Sequence, residues 1–243
     1  MEPQRIVSLV PSLTELLFWL GVGELVVGRT KFCTEPAGDV ERVPAFGGTK
    51  DPQIDRIVAL NPDLVVANKE ENRREDVEAL QAAGLRVLLT DPNTIAEAVE
   101  TMLIIGGITG ADEKARSLAL DVALAVAAAP PGDPLPVCVA VWHSPLMVLG
   151  GESYGNAILE ACGARNVFSG QPRYPSATRE EIREKGPHLI LLPDEPFPFD
   201  EGHARAYSDL APARVIDGKL LWWYGPRMPA SIRELSALLA EHR

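Results

Sequence analysis

The side chains with chemistry to offer are cations, carboxylates and aromatic rings placed where loops follow apolar runs. Lys69, Glu70, Glu71 and Asn72 come directly after the run ending at Ala67 and Asn68, and Lys50 closes the string Gly47-Gly48-Thr49-Lys50 upstream. The second half supplies Trp142, Tyr154, Tyr174, Trp223, Tyr224 and Arg227. Rings give stiff surfaces on which a flat ligand can lie, while Lys and Arg pair with carboxylate, phosphate or catecholate oxygens. These eleven residues are the candidate ligand contacts. Two readings of 69–72 stand open: polar contacts to a ligand, or a solvated charge cluster. Gly47 to Lys50 can offer N–H groups and an ammonium to an anion, but it lacks the spacing of a Walker loop, so phosphate hydrolysis is not expected. Trp222 and Trp223 follow Leu220-Leu221, and strand-like alternation would send one ring into the core and the other outward.

No catalytic residue is assigned. Ser12, Ser144 and Ser153 lack the G-x-S-x-G setting of an activated nucleophile, and Glu70 and Glu71 are adjacent, so an extended loop would point them apart. His143 can reach a metal, but it stands alone, and His188, His203 and His242 have no partner at ligand spacing. A metal held directly by the protein is therefore not expected. Cys33, Cys138 and Cys162 are too few and too scattered for a disulfide framework or a zinc site.

The elements that must position these groups read as α/β. Short apolar runs alternate with helical stretches, the pattern of parallel strands joined by crossover helices. Strands are expected at 5–10, 25–28, 64–67 and 87–90, with helices at 14–21, 54–60 and 75–83; Ser12 is placed to cap the first helix. A helix over 94–105 should stop at Gly106-Gly107. Another over 112–129 would span roughly 27 Å at about 1.5 Å per residue, enough to bridge two small lobes. A Pro-rich, hinge-like stretch follows over 130–136. The grammar then repeats, with strands at 137–142, 146–149, 189–192 and 215–216 and helices at 154–162, 179–185 and 229–242. The expected domains are an N-terminal lobe 1–92, a helical bridge 93–133 and a C-terminal lobe 134–243.

With 243 residues, 46% of them hydrophobic, the chain can bury a substantial core. A net charge of −11 disfavours nucleic acid as a partner, and no stretch is apolar enough for membrane insertion. The opening MEPQRIVSLVPS has no basic n-region, long apolar core or small-residue cleavage site. As written the chain therefore reads as cytoplasmic, or as periplasmic if a leader has been removed.

Several strings in order carry a resemblance: RIVSLVPSLTELLFWLG, IDRIVALNPDLVVA, GLRVLL, GGESYGNAILEACGARNVF and RYPSATREEIREKGPHLILL. Together they resemble the helical-backbone (class III) substrate-binding proteins, the cobalamin- and iron-siderophore-binding components of ABC importers, over nearly the whole chain. The resemblance implies two Rossmann-like lobes with parallel sheets, a long bridging helix and a ligand cleft between the lobes. It also implies non-catalytic binding of a corrinoid, haem or ferric siderophore, with no resident cofactor and an ABC permease as partner. A cytosolic carrier or sensor on the same fold is the alternative. The chain departs from the cobalamin-binding pattern at Asn68, where that pattern has an aromatic residue. It departs again at Arg74 and Gly225, where the family carries the glutamates that dock the permease.

Overall fold

The computed structural model describes residues 2–129 and 132–243. The chain divides into two compact units, one of residues 1–91, 97–120 and 224–226, the other of residues 92–96, 121–223 and 227–243. The segment expected as a separate bridge is thus shared between them. Pro130 and Pro131 of the expected hinge lie outside the described residues.

In the first unit β1 (Ile6–Ser8), α1 (Pro11–Trp19), β2 (Val26–Arg29), α2 (Ile54–Ala59), β3 (Leu64–Asn68), α3 (Arg74–Ala82) and β4 (Val87–Thr90) follow one another. The sheet order is β2-β1-β3-β4, and every pairing is parallel. Helices cover such a sheet on both faces, so its central strands need apolar side chains in both directions, as the fully buried Leu64–Asn68 shows. Val7, Leu9, Phe46, Ile57, Val65 and Leu80 form a core cluster here. Ser12 does not cap α1: it lies inside the helix, buried, while Pro11 occupies the first turn, where its missing N–H costs nothing.

Helix α4 (Ile95–Thr109) runs through Gly106-Gly107 instead of stopping there, and α5 (Asp112–Ala127) follows. The reason is packing. A Cβ on Gly106 would sit 2.4 Å from the Cβ of Ala115, so the glycine lets α4 and α5 approach closely. Its helix cost, about 1 kcal/mol relative to Ala, is accepted for that contact.

The second unit contains β5 (Leu135–Trp142), β6 (Met147–Val148), α6 (Tyr154–Ala161), β7 (Ala164–Asn166), α7 (Arg179–Lys185), β8 (Leu189–Pro193), α8 (Glu201–Tyr207), β9 (Ala213–Ile216), α9 (Lys219–Trp222) and α10 (Met228–Ala240). Its sheet runs β6-β5-β8-β9, with β7 also pairing β5. β6 is antiparallel to β5 and the other pairings are parallel. Cys138, Ala140, Phe168, Ile182, Ile190, Leu192 and Tyr207 belong to its core cluster. Local chemistry sets several boundaries. Thr178 and Glu181 form a capping box on α7, and Gly186, left-handed at φ 58°, ends it. Asp200 and His203 cap α8 in the same way. β7, α8 and α9 are not among the expected elements; β7 and α9, of 3 and 4 residues, are too short to show a period.

Among the described residues no helix is long and apolar enough to cross a membrane.

Candidate functional site

Both sheets place a switch point, where successive connections leave in opposite directions, beside their first strand: between β1 and β3 in the first unit, and between β5 and β8 in the second. Ligands of open α/β sheets collect beyond the carboxyl ends of such strand pairs. The loops after β1 and β3, and those after β5 and β8, are therefore the places to examine.

In the first unit this spot is laced together by two asparagines. Asn72, buried, accepts from Asn68 N at 2.9 Å and donates to Leu9 O at 3.3 Å and Thr49 O at 3.0 Å. It ties the loops after β1 and β3 to the loop at 47–50, and its amide is fully engaged in that task. The Asn68 side chain accepts from the backbone N–H of Glu70 at 2.8 Å and of Glu71 at 3.3 Å, so it turns the 69–72 loop. Asn72 is accordingly a brace rather than a ligand contact.

Tyr224 is a brace too. It is 5% exposed, and its hydroxyl meets Asn68 Nδ2 at 3.1 Å and Thr90 Oγ1 at 2.9 Å. Thr90 in turn donates to Ala67 O at 3.0 Å. Burial pushes the phenol well above its ordinary range against the pull of Thr90 and Asn68. An ionisable hydroxyl enclosed in this way faces the interior of its unit, which corrects the expectation that it meets a ligand. Thr90 is not singled out from the sequence, and Asn68 stands out there only as a departure from the family pattern. Their one signal was a polar residue closing each of two apolar strands.

Lys50 and Lys69 stay at the surface. Lys50 Nζ donates to Glu70 O, and Lys69 Nζ pairs with Asp91 Oδ2 at 2.9 Å. Glu70 and Glu71 are half-buried. Burial raises the Glu71 carboxyl above the usual range, Lys50 opposes this, Glu70 adds to it, and a hydrogen bond from Thr49 opposes it. The Gly47 to Lys50 string is no anion cradle as folded, because Gly48 N–H already donates to Asp51 Oδ1 at 3.0 Å.

In the second unit the loops after β5 and β8 bring aromatic rings together. Trp142, the last residue of β5, is 39% exposed, and its ring stands edge-on to Phe197 at 5.3 Å. Its indole N–H donates to Ser144 O at 3.1 Å, which fixes the ring's direction. Phe197 and Phe199, from the loop after β8, lie 4.7 Å apart. Neither was singled out from the sequence; the string Asp194 to Asp200 reads as turn-forming, and only the fold sets it beside β5.

Trp222 and Trp223 do not alternate as on a strand, since α9 is helical up to Trp222. Both instead grip Glu195: Trp222 Nε1 donates to its backbone oxygen at 2.7 Å and Trp223 Nε1 to its Oε1 at 2.8 Å. Burial raises the Glu195 carboxyl, and the Trp223 hydrogen bond and Lys219 partly offset that. Trp223 is buried, with the Lys219 ammonium 5.1 Å and the Arg227 guanidinium 5.3 Å from its ring centre. Tyr174, half-buried, meets Trp222 edge-on at 6.5 Å. Tyr154, in the first turn of α6, is 3% exposed and belongs to the core, so it too departs from the ligand-facing expectation. Cys33, Cys138 and Cys162 are all fully buried, and burial pushes the Cys138 thiol up to about 12.

The arrangement offers one exposed indole, Trp142, beside the half-buried Phe197 in the second unit, and surface cations in the first. The periplasmic binding protein family model matches residues 6–209. Over 193 residues the chain is 30% identical to the vitamin B12-binding protein of Salmonella typhimurium, covering 77% of this chain and 71% of that one. It is 26% identical over 251 residues to YvrC, an ABC transporter substrate-binding lipoprotein of Bacillus subtilis, covering 97% and 79% of the two chains. The periplasmic heme-binding protein RhuT from Roseiflexus sp. RS-1, in its apo form, superposes with a TM-score of 0.85 at 22% identity, covering 98% of each chain. These relatives overturn the cytoplasmic expectation, which rested on the opening residues alone, because they are periplasmic or lipoprotein binding proteins. The chain belongs to the periplasmic binding protein family.

Proposed function

We propose that this protein is the substrate-binding component of an ABC importer and binds, without catalysis, a metal-bearing macrocycle or chelate of the corrinoid, haem or ferric-siderophore class. The observation that carries the ligand class is the ring surface at the β5–β8 switch point, where Trp142 is 39% exposed beside Phe197. An indole held open to solvent by its own N–H bond is placed to stack on a flat ligand. The names of relatives support the same class: a vitamin B12-binding protein and a heme-binding protein. The surface ammonium groups of Lys50 and Lys69 suit the carboxylates or catecholates that such ligands carry.

The test is thermal unfolding of the purified chain with cobalamin, cobinamide, haem and a panel of ferric siderophores. One of them at 100 times its dissociation constant should add about 2.7 kcal/mol. The same ligand should bind Trp142→Ala more weakly while that variant melts as the parent does when free. No shift with any of these compounds overturns the reading.

A further inference from the structure

Residues 194–200, between β8 and α8, belong to no helix or strand, yet they carry Phe197, the ring beside which Trp142 stands. A segment without regular hydrogen bonding is held by side chains and close packing. Its far end is held by the core: Phe199 is buried, its N–H donates to Phe197 O at 2.8 Å, and Asp200 caps α8. Its near end is held by Asp194 and Glu195. Asp194 N–H donates to Ile216 O at 3.0 Å, and Asp194 Oδ1 accepts from Gly218 N–H at 2.8 Å.

Glu195 is gripped twice by α9 and the residue after it. Trp222 Nε1 donates to its backbone oxygen and Trp223 Nε1 to its Oε1, at 2.7 and 2.8 Å. An N–H bond to a carboxylate is about twice as strong as one between neutral groups. Gly218 lies so close that a Cβ there would sit 2.4 Å from Glu195 Cγ. Only Pro196 separates this clasp from Phe197. The Phe197 ring centre lies 5.3 Å from Trp142, 5.7 Å from His143, 4.7 Å from Phe199 and 5.4 Å from His203. Where the loop sits therefore decides what backs Trp142.

We propose that Glu195 is the positioning residue of the ring surface: clasped by Trp222 and Trp223, it holds the 194–200 loop so that Phe197 backs Trp142. The clasp preorganises the face offered to a flat ligand, and its effect on affinity rests on the proposed binding at Trp142. It also gives Trp223 a part in recognition, although its ring is buried.

The first readout needs no ligand. The full chain is labelled with fluorotryptophan, and its Trp142 fluorine resonance is assigned by the loss of that signal in Trp142→Phe. Phe197→Leu removes the neighbouring ring and should move the resonance. Glu195→Ala and Trp223→Phe should move it in the same direction. Glu195→Gln, whose amide oxygen still accepts from Trp223, should leave it at the parent position. A purely structural role would lower the melting temperature of Glu195→Ala and leave the Trp142 resonance where it was, and that result overturns the proposal. The Glu195 pair decides alone should Trp223→Phe fail to fold.

The second readout is affinity, with cobalamin and haem titrated separately. For whichever binds the parent, Glu195→Ala should weaken binding about tenfold, as when only about a tenth of the free molecules hold the loop in place. Glu195→Gln should bind as the parent does. In a Trp142→Ala background Glu195→Ala should cost nothing further, and an equal loss there overturns the positioning role. Should neither compound bind the parent, the binding reading loses support while the fluorine resonance still decides whether Glu195 positions the rings.

Discussion

Replacing Tyr224 by Phe tests whether its hydroxyl braces the first unit or faces a ligand. The change removes one oxygen that contacts Asn68 Nδ2 at 3.1 Å and Thr90 Oγ1 at 2.9 Å. The network has a consistent direction: Thr90 donates to Ala67 O, Tyr224 donates to Thr90, and Asn68 donates to Tyr224. Each such bond contributes about 0.5–1.5 kcal/mol net. Asn68 Nδ2 keeps a second acceptor in Thr90 Oγ1 at 3.2 Å, so no donor is wholly stranded. The expected loss is therefore about 1–2 kcal/mol, in the lower part of the two-bond range. Urea titration should show a lower midpoint with unchanged slope, and a double-mutant cycle with Thr90→Val should give a coupling of at least about 0.5 kcal/mol. Alkali adds a second readout. Burial raises the folded phenol's pKa, so the folded state holds this proton more tightly than the unfolded state does. Its contribution is complete below the unfolded value of about 10 and is lost as pH climbs above it, a loss that Tyr224→Phe lacks. Stability within about 0.3 kcal/mol of the parent, or a fall in ligand affinity with stability unchanged, would refute the brace.

Glu71→Gln should raise the melting temperature at neutral pH, because burial raises that carboxyl and its charge is carried at a cost. A raised folded pKa favours the folded state at low pH and loses that advantage as pH rises, so the gain should vanish below about pH 4. A lower melting temperature at pH 7 would show that the Lys50 and Thr49 partners outweigh burial. Gly106→Ala should destabilise despite Ala's better helix propensity, by about 1–3 kcal/mol, since the new methyl would lie 2.4 Å from Ala115; Gly106→Ala with Ala115→Gly should recover most of the loss.

What the sequence by itself determined was whatever has a short-range physical cause. The buried runs 64–68 and 189–193 are continuous apolar strings because both faces of a parallel strand are covered, and that pattern alone read as strands in an α/β fold. The helices at 54–59 and 179–185 fall where the sequence placed them, and the ordered strings carried the family. Tertiary structure decided the rest. Gly106 reads as a helix stop until Ala115 of the next helix explains it. Asn72, Tyr154 and Tyr224 have the right chemistry for a ligand, but which way a side chain faces depends on what packs against it, and for these three the interior supplies the partners. His143 and His203 lie far apart in the chain, and Phe197 reads as part of a turn. Their meeting is a consequence of β8 pairing beside β5, a long-range choice made by the sheet as a whole and written in no local spacing.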